Sequence, residues 1–320
     1  MKRPSSNVLG ILCVIGAVVT FSTNDMIVKW FSGDYPLHQV VFIRSSVALI
    51  VTLAVIMPLD GGFANLRTKR LGLHLLRGLA VVVANLTFFA GIAVLPLSEA
   101  TAIFFVAPLL ITVLSIPLLG EVVGFHRLSA VALGLVGVII VIRPGSEGFQ
   151  LAALLPLVAA CAYAALQIMT RKMGLTEKAS TMAFYIQLTF IIVCSGFGII
   201  AGDGRYAPGD GGSLDFLLRA WVWPEGFDLW LMIGLGGLLA VGGYLISQGY
   251  RVAEAGVVAP FEYVLMPLAI FWGIVIWNDW PDSQSWVGIA LIISAGVYVF
   301  HREAIQGRRN VLDRPMPRNR

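Results

Sequence analysis

Hydrophobic residues in this chain fall into long unbroken runs separated by short polar segments, without the two-residue alternation of barrel strands. A helix rises about 1.5 Å per residue and a bilayer's hydrocarbon core is about 30 Å thick, so one crossing needs roughly 20 apolar residues. The pattern predicts ten crossings, at 8–29, 37–57, 71–94, 97–119, 126–143, 150–170, 178–201, 228–250, 252–277 and 284–301. Because continuous runs satisfy their backbone in lipid only as helices, we expect an all-α polytopic membrane protein.

Composition agrees with this class, since 58% of the residues are hydrophobic and only 12% are charged. The first run follows a short basic segment but carries Asn24 and Asp25 and lacks a small-residue cleavage site, so we interpret it as a retained helix. The cysteines and histidines show no metal or redox spacing, and no Walker motif occurs. The sequence therefore predicts no metal, no cofactor and no use of ATP.

The basic residues predict the orientation. When the loops are assigned alternately to two sides, most of the 22 Lys and Arg fall on the side that holds both termini. Positive residues mark the cytoplasmic face, so we expect a protein of the inner or plasma membrane with both termini inside. Residues 304–320 form a basic tail that we expect to be disordered. Beside a final helix, such a tail is better suited to anionic lipid than to nucleic acid.

The chain shows an internal duplication. Residues 104–143 align with 263–302 without a gap, pairing Pro108 with Pro267 and Gly137 with Gly296. This predicts two five-helix repeats, 1–145 and 146–303. Five is an odd number of crossings, so the second repeat is inverted relative to the first. Inverted repeats around a midplane solute site are typical of secondary transporters.

With these motifs, the chain resembles the EamA-type members of the drug/metabolite transporter superfamily over about residues 8–302. The matching motifs are Ala107-Pro108 running to Gly120-Glu121, Gly134 to Gly137, and the Pro267 helix followed by Gly288 and Gly296. The second half departs from the pattern at Asn278-Asp279-Trp280, which replaces a Gly-Glu.

A narrower likeness concerns the first two helices. Asn24-Asp25 with Lys29, followed by Phe42-Ile43-Arg44, resembles ten-helix members proposed to take up S-adenosylmethionine or riboflavin. The resemblance implies a transporter of a small organic metabolite, such as an amino acid, an S-adenosylmethionine-like compound or a riboflavin-like compound.

Charged residues inside the runs are the first candidates for solute contact. Asp25 and Arg44 are predicted at similar depths, so they form either a permanent salt bridge or a solute contact. Glu262 lies near the predicted midplane between Pro260 and Pro267. It would carry a proton or meet a cationic group on the solute; the alternative is a protonated carboxyl bonded to a neighbouring helix.

Polar and aromatic side chains complete the candidate set, and for each of them interhelical hydrogen bonding is an equal alternative. The candidate solute-binding residues are Asp25, Arg44, Asn24, Asn85, Tyr163, Gln167, Tyr244, Gln248, Glu262 and Tyr263.

The sequence as a whole favours a secondary transporter that works by alternating access, with proton coupling through a titrating carboxyl. A passive channel and a membrane-embedded enzyme are the alternatives. In the long loop 202–227, Leu214, Leu217, Leu218 and Trp221 recur at helical spacing. They predict a short amphipathic helix on the outer membrane surface.

Overall fold

The computed structural model describes residues 6–119, 125–143, 150–173, 178–252 and 259–312, and all regular secondary structure in these ranges is helical. The helices are α1 (Ser6–Trp30), α2 (Leu37–Val51), α3 (Leu71–Ile92), α4 (Leu97–Phe104), α5 (Ala107–Leu119), α6 (Phe125–Ile142), α7 (Leu154–Met173), α8 (Ala179–Ala201), α9 (Ser213–Leu218), α10 (Phe227–Val252), α11 (Leu265–Trp277) and α12 (Ser283–Leu312). Helix α2 continues through a π-helical turn, Thr52–Ile56, into Met57–Leu59.

Six helical segments in the described ranges are long and apolar enough to cross a bilayer. They are Val8–Gly33, Leu37–Leu59, Leu71–Ile92, Leu151–Thr170, Ser180–Ala201 and Phe227–Ile246. Four shorter apolar segments, Leu97–Ile111, Leu128–Ile142, Phe261–Trp277 and Ser283–Tyr298, fall at the four remaining predicted crossings. The prediction of an all-helical, multi-pass membrane protein is confirmed, while the count of ten crossings stays a prediction.

Two predicted helices are interrupted. The run 97–119 breaks at residues 105–106 into α4 and α5, and the run 252–277 includes a 3-10 segment, Ala259–Val264, before α11 begins. A proline lies just beyond each break. Pro108 and Pro267 cannot donate to the carbonyl four residues earlier, and their rings clash with it, so a continuous α-helix is disfavoured at both places.

Helices from the first half of the chain pack mainly against helices from the second half. The most extensive contacts join α1 to α10, α3 to α7 and α8, α2 to α8 and α10, α5 to α7, and α6 to α12. Glycines permit several of these close approaches. A Cβ on Gly236 of α10 would lie 2.6 Å from the Arg44 carbonyl oxygen, and one on Gly249 would lie 2.6 Å from Val14 Cγ2. Small residues at helix crossings are the usual means of packing in a bilayer.

The α6–α12 crossing depends on two glycines that face each other. A Cβ on Gly137 would lie 2.8 Å from the Gly288 carbonyl oxygen, and a Cβ on Gly288 would lie 2.7 Å from the Gly137 carbonyl oxygen. Both obstacles are backbone atoms, so neither can rotate away. The two helices touch main chain to main chain at this point.

We therefore expect Gly288→Ala to destabilise the protein by about 1–3 kcal/mol, as overpacking of a tight contact does. Gly234→Ala on α10 is the matched control, because a Cβ there meets no protein atom within 4 Å. The measurement is the thermal unfolding midpoint in detergent. Equal midpoints for the two variants would contradict the close crossing.

The loop between α8 and α10 contains the predicted short helix, α9, and part of that helix packs against the protein. Leu214 is 60% exposed, whereas Asp215 and Phe216 are buried. Trp221 lies beyond the end of α9 and its ring is 5.9 Å from His38 and 5.6 Å from Phe42, centroid to centroid. The loop thus packs on α2, because Phe216 and Trp221 find protein partners there, and the placement of the leucines on the outer membrane surface stays a prediction.

Candidate solute-binding site

The Arg44 guanidinium is the most buried charge in the described bundle, with 1% of the residue exposed. It lies on α2. Its Nη1 donates to Asn24 Oδ1 on α1 at 3.1 Å, and its Nη2 donates to Asn85 Oδ1 on α3. Its Cζ stands 5.1 Å from the ring centroid of Phe89, a cation–π distance. One side chain therefore ties three helices together.

Asp25 is joined to Arg44 through Asn24. Asn24 Nδ2 donates to Asp25 Oδ1 at 3.1 Å, and the Asp25 carboxyl lies close enough to interact electrostatically with Arg44. No direct ion pair between the two occurs among the described residues. Consecutive side chains on a helix point about 100° apart, so only one of the two can face the guanidinium directly.

A row of aromatic rings leads from Arg44 to α7. Ring centroids are 5.6 Å apart for Phe89 and Phe88, 5.2 Å for Phe88 and Phe104, and 5.3 Å for Phe104 and Tyr163. These spacings are typical of favourable tilted and edge-to-face ring pairs. Phe104 is the last residue of α4, so the helix break places its ring in the row.

Glu262 lies at the other end of this row. Its carboxyl interacts electrostatically with Tyr163 and Tyr263, and Tyr163 in turn hydrogen-bonds Gln167 one turn along α7. The Tyr263 ring stacks on Phe105 at 5.1 Å, and its hydroxyl packs directly against Gly296 of α12, where no Cβ would fit. Glu262 is in the 3-10 segment, so the second helix break positions it.

Together these residues form what we term the central cluster. Its members are Asn24, Asp25, Arg44, Asn85, Phe88, Phe89, Phe104, Tyr163, Gln167, Glu262 and Tyr263. A cation and a carboxyl stand at opposite ends of a row of rings. Asn24, Arg44, Phe88, Phe89 and Tyr263 are buried within the cluster.

Eight of the ten residues predicted for solute contact belong to the cluster. The other two, Tyr244 and Gln248, bond to each other at 2.7 Å on α10, where Tyr244 is 44% exposed. Sequence reasoning missed Phe88, Phe89 and Phe104. Helical spacing could have predicted Phe88 and Phe89, because they follow Asn85 by three and four residues and so lie on the same face of the helix.

A second set of polar contacts joins the two halves at one end of the bundle. Lys29 Nζ donates to the Leu95 carbonyl oxygen at 2.6 Å, lies 3.9 Å from Asp279 Oδ2, and stands 5.1 Å from the Trp277 ring centroid. It also interacts electrostatically with Glu99 on α4.

Ser285 on α12 extends these contacts. Its hydroxyl donates to Glu99 Oε1 at 2.8 Å and accepts from Arg143 Nη2 at 3.0 Å. Arg143 also pairs with Asp282, whose Oδ1 accepts from the Ser285 amide at 2.7 Å. These bonds, Arg143 first, lower the pKa of Asp282 from its ordinary value of 3.8 to about 2, so the carboxylate keeps its charge and its partners until the pH falls through about 2. We term Lys29, Glu99, Arg143, Asp279, Asp282 and Ser285 the end network.

Asn85 tests whether Arg44 needs its amide partners. Asn85→Leu leaves a buried charged donor without its acceptor, which costs about 1–3 kcal/mol, so we expect a lower thermal unfolding midpoint. Asn85→Asp keeps an acceptor in place and should remain close to the wild type. Unchanged midpoints in both variants would show that the Arg44–Asn85 bond contributes nothing to stability.

Comparison with known proteins agrees with this architecture. Residues 8–143 match the EamA-like transporter family. A riboflavin transporter of Vibrio cholerae is 28% identical over 94% of this chain and 95% of its own. A riboflavin transporter of Rhizobium johnstonii is 27% identical, covering 96% of each chain. An S-adenosylmethionine uptake transporter of Rickettsia prowazekii is 24% identical over 92% of this chain and 93% of its own.

One solved crystal structure shares the fold, with a TM-score of 0.61 at 18% identity, and covers 94% of this chain and 98% of that one. The predicted resemblance to EamA-type transporters is confirmed, and the relatives' names indicate transporters rather than enzymes.

Proposed function

We propose that this chain, a multi-pass membrane protein whose residues 8–143 match the EamA-like transporter family, is a secondary transporter of a small organic metabolite in the inner or plasma membrane. The central cluster is the observation that carries the proposal. A structural core has no need of a buried guanidinium, two carboxyls and three amides around a row of rings, because each polar group costs free energy to bury. A solute site does need them.

The packing pattern supports two inverted repeats. In the predicted repeat α1, α2 and α3 correspond to α7, α8 and α10. Helix α3 packs on α7 and α8, and its counterpart α10 packs on α1 and α2. The helix breaks also correspond, since the gap-free alignment places Phe105 opposite Val264. Each half thus builds the same arrangement around the other, as a pseudo-two-fold axis requires.

The end network supports alternating access. It joins α1, α4 and α6 of the first half to Asp279, Asp282 and Ser285 of the second, at the end that the positive-inside rule predicts to be outer. A carrier must close one end while the other opens. Partly exposed ion pairs are individually weak and are suited to breaking and re-forming in that cycle.

The row of rings favours a solute with a planar heteroaromatic group. Relatives are named for riboflavin and S-adenosylmethionine, both of which carry one. Asp25 and Glu262 would suit a cationic solute, and the Asn24 and Asn85 amides a neutral one. Among amino acids, which the sequence also left open, only aromatic ones would use the rings. Glu262 is our candidate for coupling to protons, and the proposal includes no cofactor and no ATP.

Uptake into proteoliposomes tests the function. We expect saturable uptake of labelled riboflavin or S-adenosylmethionine that responds to an imposed pH gradient. In Glu262→Gln the amide has nearly the same shape as a protonated carboxyl but cannot titrate. Uptake by this variant should therefore fall roughly tenfold, equivalent to about 1.4 kcal/mol, and should lose its pH dependence. Glu225→Gln, in the exposed loop before α10, is the matched control.

Other results would contradict this proposal. Non-saturable flux that ignores the pH gradient would indicate a channel, and chemical turnover without transport would indicate an enzyme. Wild-type uptake by Glu262→Gln at every pH would remove Glu262 from the mechanism.

Reporter fusions test the topology. A cytoplasm-active reporter fused after residue 120 should be active, and the same reporter after residue 210 should be silent, because five crossings per repeat place these loops on opposite sides. A periplasm-active reporter should give the reverse. Activity of one reporter at both positions would contradict the inverted repeat.

A further inference from the structure

A second buried arginine, Arg77 on α3, lies outside the central cluster. The residue is 7% exposed. Its Nε donates to Thr170 Oγ1 on α7 at 2.8 Å, and its Nη1 donates to the Met182 carbonyl oxygen on α8 at 3.1 Å. Both acceptors are neutral. Among the described residues no carboxyl pairs with Arg77, whereas Arg44 has Asp25 within electrostatic reach.

The missing counter-charge is unusual. A charge buried in a membrane protein normally pairs with an opposite charge, because desolvation of an unpaired ion costs several kcal/mol. Nη2 of Arg77 donates no hydrogen bond within the described residues. The guanidinium fork matches the geometry of carboxylate and phosphate groups, and two of its nitrogens are already fixed in place. The site is therefore preorganised for an anion.

Arg77 lies on a seam that begins at the central cluster. It precedes Phe88 by 11 residues, three helical turns, so the two share a face of α3 about 16 Å apart along the axis. On α7, Thr170 follows Tyr163 by seven residues and Gln167 by three, so these also share a face. The facing stripes of α3 and α7 run from the cluster to Arg77 at the predicted cytoplasmic end.

Neighbouring residues hold this end rigidly. His74, one turn before Arg77, stacks on Tyr185 at 4.5 Å, and the Tyr185 hydroxyl donates to the Leu66 carbonyl oxygen at 2.9 Å. The carboxyl at the same end, Asp60, accepts from the Ser180 amide at 3.3 Å, and the Asp60 carbonyl oxygen accepts from Lys178. Asp60 thus makes contacts with α8, and among the described residues Arg77 donates its hydrogen bonds to Thr170 and Met182 alone.

We infer that Arg77, anchored by Thr170 and Met182, forms an anion-binding subsite at the cytoplasmic end of the α3–α7 seam, for a carboxylate or phosphate group. The group belongs either to a solute leaving the central cluster or to a phospholipid headgroup, which share this chemistry. The assignment of the group to a solute rests on the proposed function, whereas the assignment to a lipid headgroup does not.

The test is anion-dependent thermal unfolding of the purified full-length protein. In neutral detergent we add inorganic phosphate against chloride at equal ionic strength, and in nanodiscs we compare phosphatidylglycerol with phosphatidylcholine. We expect a saturable rise in the unfolding midpoint for the wild type, no rise for Arg77→Gln, and roughly tenfold weaker apparent affinity for Arg77→Lys, which keeps the charge but loses the fork. Arg219→Gln is the control, because Arg219 is already paired with Asp215.

Each outcome decides the inference. A rise in the unfolding midpoint with phosphate alone assigns the subsite to solutes, and a rise with phosphatidylglycerol alone assigns it to lipid. Either rise supports the inference when it is lost in Arg77→Gln. An equal rise with phosphate in all variants would be general stabilisation by the salt and would overturn the inference. Arg77 would then only hold α3 against α7 and α8. If Arg77→Gln does not fold, Thr170→Val keeps the charge but removes its anchor, and unchanged phosphate affinity there would overturn the inference too. Binding is read without transport, so a failure of the proposed function would be recognised separately.

Discussion

A guanidinium buried among helices cannot be left without partners, and the placement of Arg44 governs the first half of this structure. The side chain reaches Asn24 and Asn85, so α1, α2 and α3 are fixed relative to one another around a single charge. Helix α10 then approaches α2 at the backbone of the same residue, where only a glycine, Gly236, leaves room. The Arg44 end of the central cluster exists because α1, α2 and α3 meet at one polar point.

At other helix crossings the backbones come close together because glycine has no side chain. Between helices in lipid there is no hydrophobic driving force, so packing improves when backbones touch. Gly137 and Gly288 provide this at the α6–α12 crossing, and Gly296 leaves space for the Tyr263 hydroxyl. Proline has the complementary effect. The breaks before Pro108 and Pro267 place Phe104 and Glu262 in the cluster, so irregular backbone occurs where it borders a polar site, as a bilayer demands.

Charge is distributed differently in three parts of the bundle. In the middle, Arg44 donates to two amides, with Asp25 behind one of them. At one end, the end network pairs cations with carboxyls and is partly exposed, which makes it easy to rearrange. Near the opposite end, the acceptors of Arg77 within the described ranges are both neutral. Charge is thus paired with carboxyls at the predicted outer end, bound to amides in the middle, and without a carboxyl partner among the described residues near the predicted cytoplasmic end.

The sequence by itself determined the membrane class, the positions of the helices and most residues of the central cluster. Hydropathy acts residue by residue, and a charged or amide side chain inside an apolar run has to face the bundle interior wherever its helix lies. For that reason Arg44, Asn85 and Glu262 were predicted before any packing was known.

Only the tertiary structure decided which partners these groups have. Arg44 bonds Asn24 in place of Asp25, Tyr244 and Gln248 lie on an exposed face of α10, and α9 buries Phe216 beside the half-buried Leu217. Each choice depends on the rotation of one helix against several others, where one residue along the chain shifts a side chain by about 100°. A linear pattern contains no record of that angle, because it is set by the shape of all the neighbouring surfaces at once.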